Sequence, residues 1–508
     1  MNERIFGLDF GTTNSLAAFV ADGEVRALTD NDEKPLPSVV WYRGSETVVG
    51  RTARAHIDSL DGGGTPGFVR SPKMMLRRDG PVHIDGRALD AADIVSEVLA
   101  HVRSQAELLH GHRIDRAVLT VPVDFAGPER RALRIAARKA GISVVHFVHE
   151  PAAALYAYLR NQLNYQHQLA LLENKAVLVF DWGGGTVDLS ICRVLGGVVK
   201  QIANRGNDNV GGDHFDERLR NHIRDKHSEH YGIFDLFSRE QPGAAATLLS
   251  QCELAKIELS VHDRYTVLAR DYIVGNQRER NLSVDVTRND LEALSHDLVR
   301  KGLEEIDIVL EQARLDRHDI ELCLATGGMV NMPIIWNGLI ERFGARVPKL
   351  VNRDRIIAEG AAWIAHDQLG LQLSKPLEIL VAGDQGRGEW LPLVDAEFSL
   401  PVENETAAAT NRRFYCTDPR DGQAVFEFGK PRKVGLVQPK DERETVALLT
   451  MPVDQTARPL LERLECKVQI DHDYVAKVTV ASGTEGRAVE KEIHSLDFGL
   501  ALPQPNER

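Results

Sequence analysis

AVLVFDWGGGTVDLSICRV, residues 176–194, reads as two apolar β-strands joined by the turn Gly183-Gly184-Gly185-Thr186, with Asp181 closing the first strand and Asp188 early in the second. The arrangement occurs a second time in IFGLDFGTTNSLAAFV, residues 5–20, where Asp9 stands before the turn Gly11-Thr12-Thr13-Asn14. A glycine-rich turn lets backbone N–H groups approach an anion closely, and Thr and Asn side chains add donors. Phosphate suits such a turn. A carboxylate at the strand end repels phosphate but can hold the water shell of a magnesium ion that bridges to the phosphate oxygens, the role expected of Asp9 and Asp181. Either segment taken singly is equally readable as a plain tight hairpin. Their repetition favours the phosphate site and suggests an internal duplication. The chain has no G-x-x-x-x-G-K-[ST] element, which argues against a P-loop enzyme.

The totals exclude other classes. At 508 residues the chain divides into two or three domains. With 43% hydrophobic and 27% charged residues its composition is that of an ordinary globular protein. The 74 acidic against 61 basic residues give a net charge of -13, which disfavours a nucleic-acid partner. Five cysteines without metal or redox spacing fit a reducing, cytoplasmic setting. Neither an apolar run of about 20 residues nor an apolar leader is found, so no membrane association is expected.

The segments GLDFGTTNS, VHEPAAALYAY, VFDWGGGTVD, NVGGDHFDERL, ELAKIELS, LATGGMVNMP and RIIAEGAAWIA resemble, in this order, the signature segments of the DnaK-type, seventy-kilodalton heat-shock chaperone family. They run from residue 5 to about 366, the length of that family's ATPase domain. The resemblance implies an α/β, actin-like ATPase of two ribonuclease-H-like lobes over residues 1–375, with ATP or ADP and magnesium in the cleft between them.

Phosphoryl transfer asks for phosphate cradles, a metal, a cation and a water-orienting group. By resemblance Lys73, in FVRSPKMMLRR, reaches the γ-phosphate, and Glu150, before the helix-opening Pro151, contacts the magnesium shell or the lytic water. Without the resemblance Lys73 is an ordinary surface lysine and Glu150 a helix-capping acid. Thr186 and Asp188 resemble the residues that bond the γ-phosphate and complete the carboxylate set. Glu253, Lys256 and Ser260 share one face of a predicted helix that could grip ribose and adenine, although a surface ion pair is the simpler reading of the spacing alone. Gly327 and Gly328 form a strand-turn-helix element where backbone approaches the nucleotide. Gly211, Gly212, Asp213 and Asp354 fall at further matching positions. Asn331 replaces an arginine that stacks on adenine in the family, and His146 and His149 stand where an arginine and an asparagine make J-protein contacts. The helix PERRALRIAARKAG, framed by Pro128 and Gly141, reads as purely structural.

From about residue 385 the pattern changes to short apolar-polar alternations, as in ECKVQIDHDYVAKVTVAS, which predict a small antiparallel β-sandwich over residues 385–508. Its place and the hairpin at Asp471-His472-Asp473 resemble the domain that binds extended peptides in DnaK chaperones. Residues 376–384 are expected to be a linker, and the tail LALPQPNER leaves no sequence for the family's helical lid. Taken together, an ATP-dependent chaperone for unfolded or extended protein segments is expected, with a J-protein or a nucleotide-exchange cochaperone as candidate partners. The rival readings are a nucleotide-binding scaffold with little hydrolysis and a metabolite kinase on the same fold.

Overall fold

The computed structural model describes residues 4–29, 34–59, 67–78, 80–241, 244–275, 277–383, 387–482 and 486–503. Strands β1 (Phe6–Phe10), β2 (Asn14–Ala21) and β3 (Glu24–Leu28) form an antiparallel meander, followed by helices α1 (Arg51–Ser59) and α2 (Pro72–Met75). Next come β4 (Arg116–Val121), α3 (Gly127–Lys139), β5 (Ser143–His149) and α4 (Glu150–Arg160), whose strands extend the sheet in parallel to give the order β5-β4-β1-β2-β3. A second α/β unit follows: β6 (Ala176–Trp182), β7 (Val187–Leu195), β8 (Val198–Asn207), α5 (Gly212–Tyr231), α6 (Ala244–Leu259), β9 (Ile320–Thr326) and α7 (Pro333–Phe343), after which α8 (Ile356–His366) returns to pack on α4, β1 and β2 of the first unit. Its sheet repeats the first, with β6 antiparallel to β7 and parallel to β9. The predicted duplication is therefore present in the topology. The central strands read as unbroken apolar runs because both faces are covered; in β6 only Asp181 is less than fully buried. Among the described residues no helix is long and apolar enough to cross a membrane.

After α8 the chain makes β10 (Leu371–Leu373) and then two four-stranded antiparallel sheets. These are built from β11 (Leu377–Ala382), β12 (Gly388–Val394), β13 (Thr406–Tyr415), β14 (Gln423–Pro431), β15 (Arg443–Pro452), β16 (Arg463–Asp471), β17 (Ala476–Ser482) and β18 (Ala488–Ile493). One sheet has the order β12-β11-β14-β15, the other β13-β16-β17-β18. Alternation places Leu464, Cys466, Val468 and Ile470 of β16 in the core, with Phe428 and Met451 from the other sheet. The last strand, β19 (Phe498–Ala501), leaves this region and enters the second α/β sheet between β8 and β10.

Three expectations are corrected here. Residues 377–382, expected in a linker, are an interior strand: β11 pairs with β12 on one side and β14 on the other, and its Leu377 and Ile379 are buried. Its apolar run is a strand signature, and the short crossing between units lies earlier, at β10. The start of the tail is not a mere remainder, since Leu500 and Ala501 are sheet residues. Helix α3 is more than structural, because Arg130, Arg131 and Arg134 on one of its faces bind the β region.

Candidate functional site

The two glycine turns, far apart in sequence, face each other. A Cβ added to Gly184 would lie 2.9 Å from Thr13 Oγ1, and one on Gly185 would lie 3.5 Å from Thr12 Cγ2. The second turn is held by Gly183 N–H donating to Thr186 O at 2.9 Å. The N-terminus of α5 packs directly behind it, with Asp213 N–H donating to Gly184 O at 2.8 Å. Gly211 approaches so closely that a Cβ would meet Gly185 backbone at 2.2 Å, so only glycine fits there.

Beneath the turns sits a cluster of four carboxylates around one lysine. Lys73, buried on the short α2, donates to Glu150 Oε1 at 2.6 Å, and Glu150 is held at the first turn of α4 by Pro151 at that turn. Burial works to lower the Lys73 pKa, but the neighbouring Glu150 and Asp9 carboxylates outweigh it, and the net direction is upward. Asp9 accepts from the Thr120 hydroxyl at 2.6 Å. Burial and, secondarily, the Glu150 charge raise its pKa to about 6. Asp181 is raised to about 7 by burial and by the charges of Glu150, Asp188 and Asp9. Asp188 accepts from Thr186 Oγ1 at 2.6 Å, yet burial still raises it to about 6. A partly open cleft runs along Glu150, Asp181 and Asp188. Buried acids that resist ionisation together are a receptor for positive charge. Among the described residues no three acidic, imidazole or thiol groups converge as a direct metal-ligand set.

The remaining candidates are placed differently. Glu253 on α6 forms an ion pair with Arg54 of α1, joining the two α/β units. Lys256 is buried and donates to Asp216 at 2.7 Å and Gly212 O at 3.0 Å, while the Ser260 hydroxyl bonds the Lys256 carbonyl at 3.0 Å. Their polar groups thus already have partners within the protein. Gly327, at φ 84°, lies against Asp181: a Cβ there would stand 2.5 Å from its Oδ1. Gly328 and Asn331 belong to the following turn, and the Asn331 side-chain Oδ1 accepts from Arg353 at 3.2 Å. Arg353 also lies 4.2 Å over the Trp336 ring, so a cation stands beside the position where arginine is replaced. Asp354 follows it and is exposed. His146 and His149 are buried, the latter stacked on Phe498 at 4.0 Å, so neither offers a surface for J-protein contact in this arrangement.

Residue-by-residue reading overlooked Thr120 and Thr326. They end the equivalent parallel strands β4 and β9, beside Asp9 and Asp181 respectively. Aligning the two halves, TVP against TGG, is the signal that could have found them.

An α/β core with two opposed phosphate-type turns belongs to the nucleotide-dependent class of proteins. The chain matches the family described as Hsp70 protein over residues 5–59 and 77–380. It is 33% identical to the chaperone protein DnaK of Thermotoga petrophila over 84% of this chain and 70% of that one. It is 32% identical to DnaK of Thermosipho melanesiensis over 77% of this chain and 62% of that one, and 29% identical to DnaK of Mycoplasmopsis agalactiae over 71% and 58%. The chain belongs to the Hsp70 family, whose members are ATP-dependent chaperones.

Proposed function

We propose that the protein binds ATP with magnesium between two actin-like lobes, hydrolyses it, and thereby alters the hold of its β domain, the two sheets between residues 377 and 493, on extended protein segments. The observation that carries this is the pair of glycine turns facing each other over Asp9, Lys73, Glu150, Asp181 and Asp188. Backbone N–H groups of both turns, with Thr12, Thr13 and Asn14, would cradle the phosphates. The acid cluster fits magnesium by its chemistry: hard oxygen donors, mutually repelling and short of positive charge, with Asp9 and Asp181 acting through water. When bound, the ion neutralises phosphate charge. Lys73 supplies a fixed cation where charge develops, and its bond to Glu150 holds that carboxylate toward an attacking water. Asp188, which lines the same cleft and accepts from Thr186, would complete the carboxylate set.

The test compares the affinity of the full chain for a library of extended peptides in ATP and in ADP, with single-turnover hydrolysis measured alongside. A nucleotide-dependent difference is expected. Peptide binding that ignores nucleotide would instead favour a scaffold, and phosphorylation of a small metabolite a kinase.

A further inference from the structure

Trp182 ends β6, between Asp181 and the second glycine turn. Alternation along the strand turns its side chain to the face opposite the Asp181 carboxylate, where it is completely buried. Phe180 and Phe215 pack edge-on against it, with ring centroids 5.8 and 6.1 Å away. The six-membered ring fills a notch left by Gly302 in the helix Arg288–Ala313: a Cβ on Gly302 would lie 2.2 Å from Trp182 Cη2 and 2.7 Å from Cζ2. An indole buried this deeply needs an acceptor for its N–H. It donates to the Val210 carbonyl at 2.8 Å.

Val210, itself buried, lies in the connection from β8 to α5 and so helps to decide where α5 begins. The other end of that connection is held by Glu305, three residues beyond Gly302 on the same helix, which accepts from Arg205 at 2.7 Å and Asn207 at 2.5 Å. Asn207 Oδ1 in turn accepts from Asn209 N–H at 2.9 Å. At the start of α5, Gly212 N–H donates to Gly183 O at 3.2 Å and Asp213 N–H to Gly184 O at 2.8 Å. A trans peptide unit points its C=O and N–H in opposite directions. With the Gly183 and Gly184 carbonyls drawn to α5, the N–H groups of Gly184 and Gly185 therefore point away from it, as donors that a phosphate would meet. The peptide planes of the turn are thus set by α5, and the start of α5 is held by the bond between Val210 and Trp182. The Gly327 turn leans on the same residue, since a Cβ on Gly327 would lie 2.4 Å from Trp182 O.

We propose that Trp182 is a positioning residue of the phosphate site: its indole N–H fixes segment 210–213, and through it the backbone donors of the second turn, before nucleotide arrives. Ring and N–H then have separable roles. The ring fills space beside Gly302 and supports the fold, whereas the N–H holds the site in its binding arrangement. The proposal rests on the nucleotide reading above.

Two variants separate these roles. Trp182→Phe removes the N–H together with the ring atoms nearest Gly302, and adding Gly302→Ala returns a methyl to the vacated space. The double variant is expected to regain most of the thermal stability that Trp182→Phe loses. It is not expected to regain affinity: both variants should bind magnesium-ADP about tenfold more weakly than the parent, the order expected when a buried carbonyl loses its donor. Adenosine, which has no phosphate, should bind both as it binds the parent. Parental ADP affinity in either variant, or a loss of adenosine affinity as large as that of ADP, would show that Trp182 acts by packing alone and overturns the proposal. Should Trp182→Phe not fold, the double variant decides the comparison. If the parent binds neither labelled ATP nor ADP, the nucleotide reading falls, and amide exchange without ligand decides the positioning. Faster exchange at Gly212 and Asp213 in the variants, with protection in β6 and β9 unchanged, is then expected; exchange equal to the parent's overturns it.

Discussion

Lys73 is the cation facing Glu150, Asp9 and Asp188, and its removal should separate binding from chemistry. The glycine turns would carry the phosphates, so Lys73→Ala should bind ATP within a few-fold of the parent. Hydrolysis should fall by roughly 100-fold or more, the usual loss when a preorganised charge is removed from a phosphoryl-transfer site. Single-turnover rates against equilibrium binding decide this; equal rates would remove Lys73 from the chemistry. Asp9→Asn and Asp181→Asn should raise the magnesium concentration needed for half-maximal turnover while leaving the fold intact, as circular dichroism can show. Asp9 and Asp181 were picked out because turn chemistry and strand ends are local features of sequence, whereas Lys73, Glu150, Thr186 and Asp188 were picked out by the family resemblance. Asp216 was not, because Lys256 reaches it across two helices that only folding brings together.

At the scale of elements, α3 shows what local patterning leaves out. Pro128 and Gly141 mark its ends correctly, but the partner of Arg134 lies 339 residues away, and no periodicity reports that distance. Breaking such a buried pair costs about 3–5 kcal/mol, so Arg134→Ala and Asp473→Ala should each lower unfolding stability by that order, whereas the double variant should cost much less than their sum. Additive losses in a denaturant-based cycle would show that the two side chains act independently. The same interface is acid-sensitive through His149, whose pKa burial lowers to about 3, with Arg130 adding to the effect. The folded pKa lies below the unfolded one, so the unfolded chain takes up the proton first, and stability is lost as pH falls below about 6.5, by up to ~1.4 kcal/mol per unit. The raised pKa values of Asp9, Asp181 and Asp188 work in the opposite sense over part of this range. The readout is therefore a difference: between pH 7 and pH 5 the melting temperature of His149→Asn should fall less than that of the parent. Parallel curves would show that His149 is not the sensor.

At the scale of the whole molecule, the duplicated sheets were readable because each half carries its own hairpin, whereas the way the halves meet was not. Arg54 and Glu253 illustrate this: one lies on α1 of the first unit and the other on α6 of the second, and both are about three-quarters buried. The sequence puts Glu253, with Lys256 and Ser260, on a helix face that could grip ribose and adenine; the structure engages it with Arg54 across the two units that flank the cleft. A partly exposed pair of this kind contributes about 1 kcal/mol or less, so Arg54→Ala should speed release of a fluorescent ADP analogue by no more than roughly fivefold. Comparing variants separates the two roles of Glu253. If it serves only as the partner of Arg54, then Arg54→Ala, Glu253→Ala and the double variant should release ADP at one common, faster rate. If it also holds ribose, Glu253→Ala should weaken ADP more than Arg54→Ala does, and the excess should disappear with a 2′,3′-dideoxy analogue that lacks the hydroxyls. Release unchanged in all three variants would mean that the ion pair does not restrain the cleft.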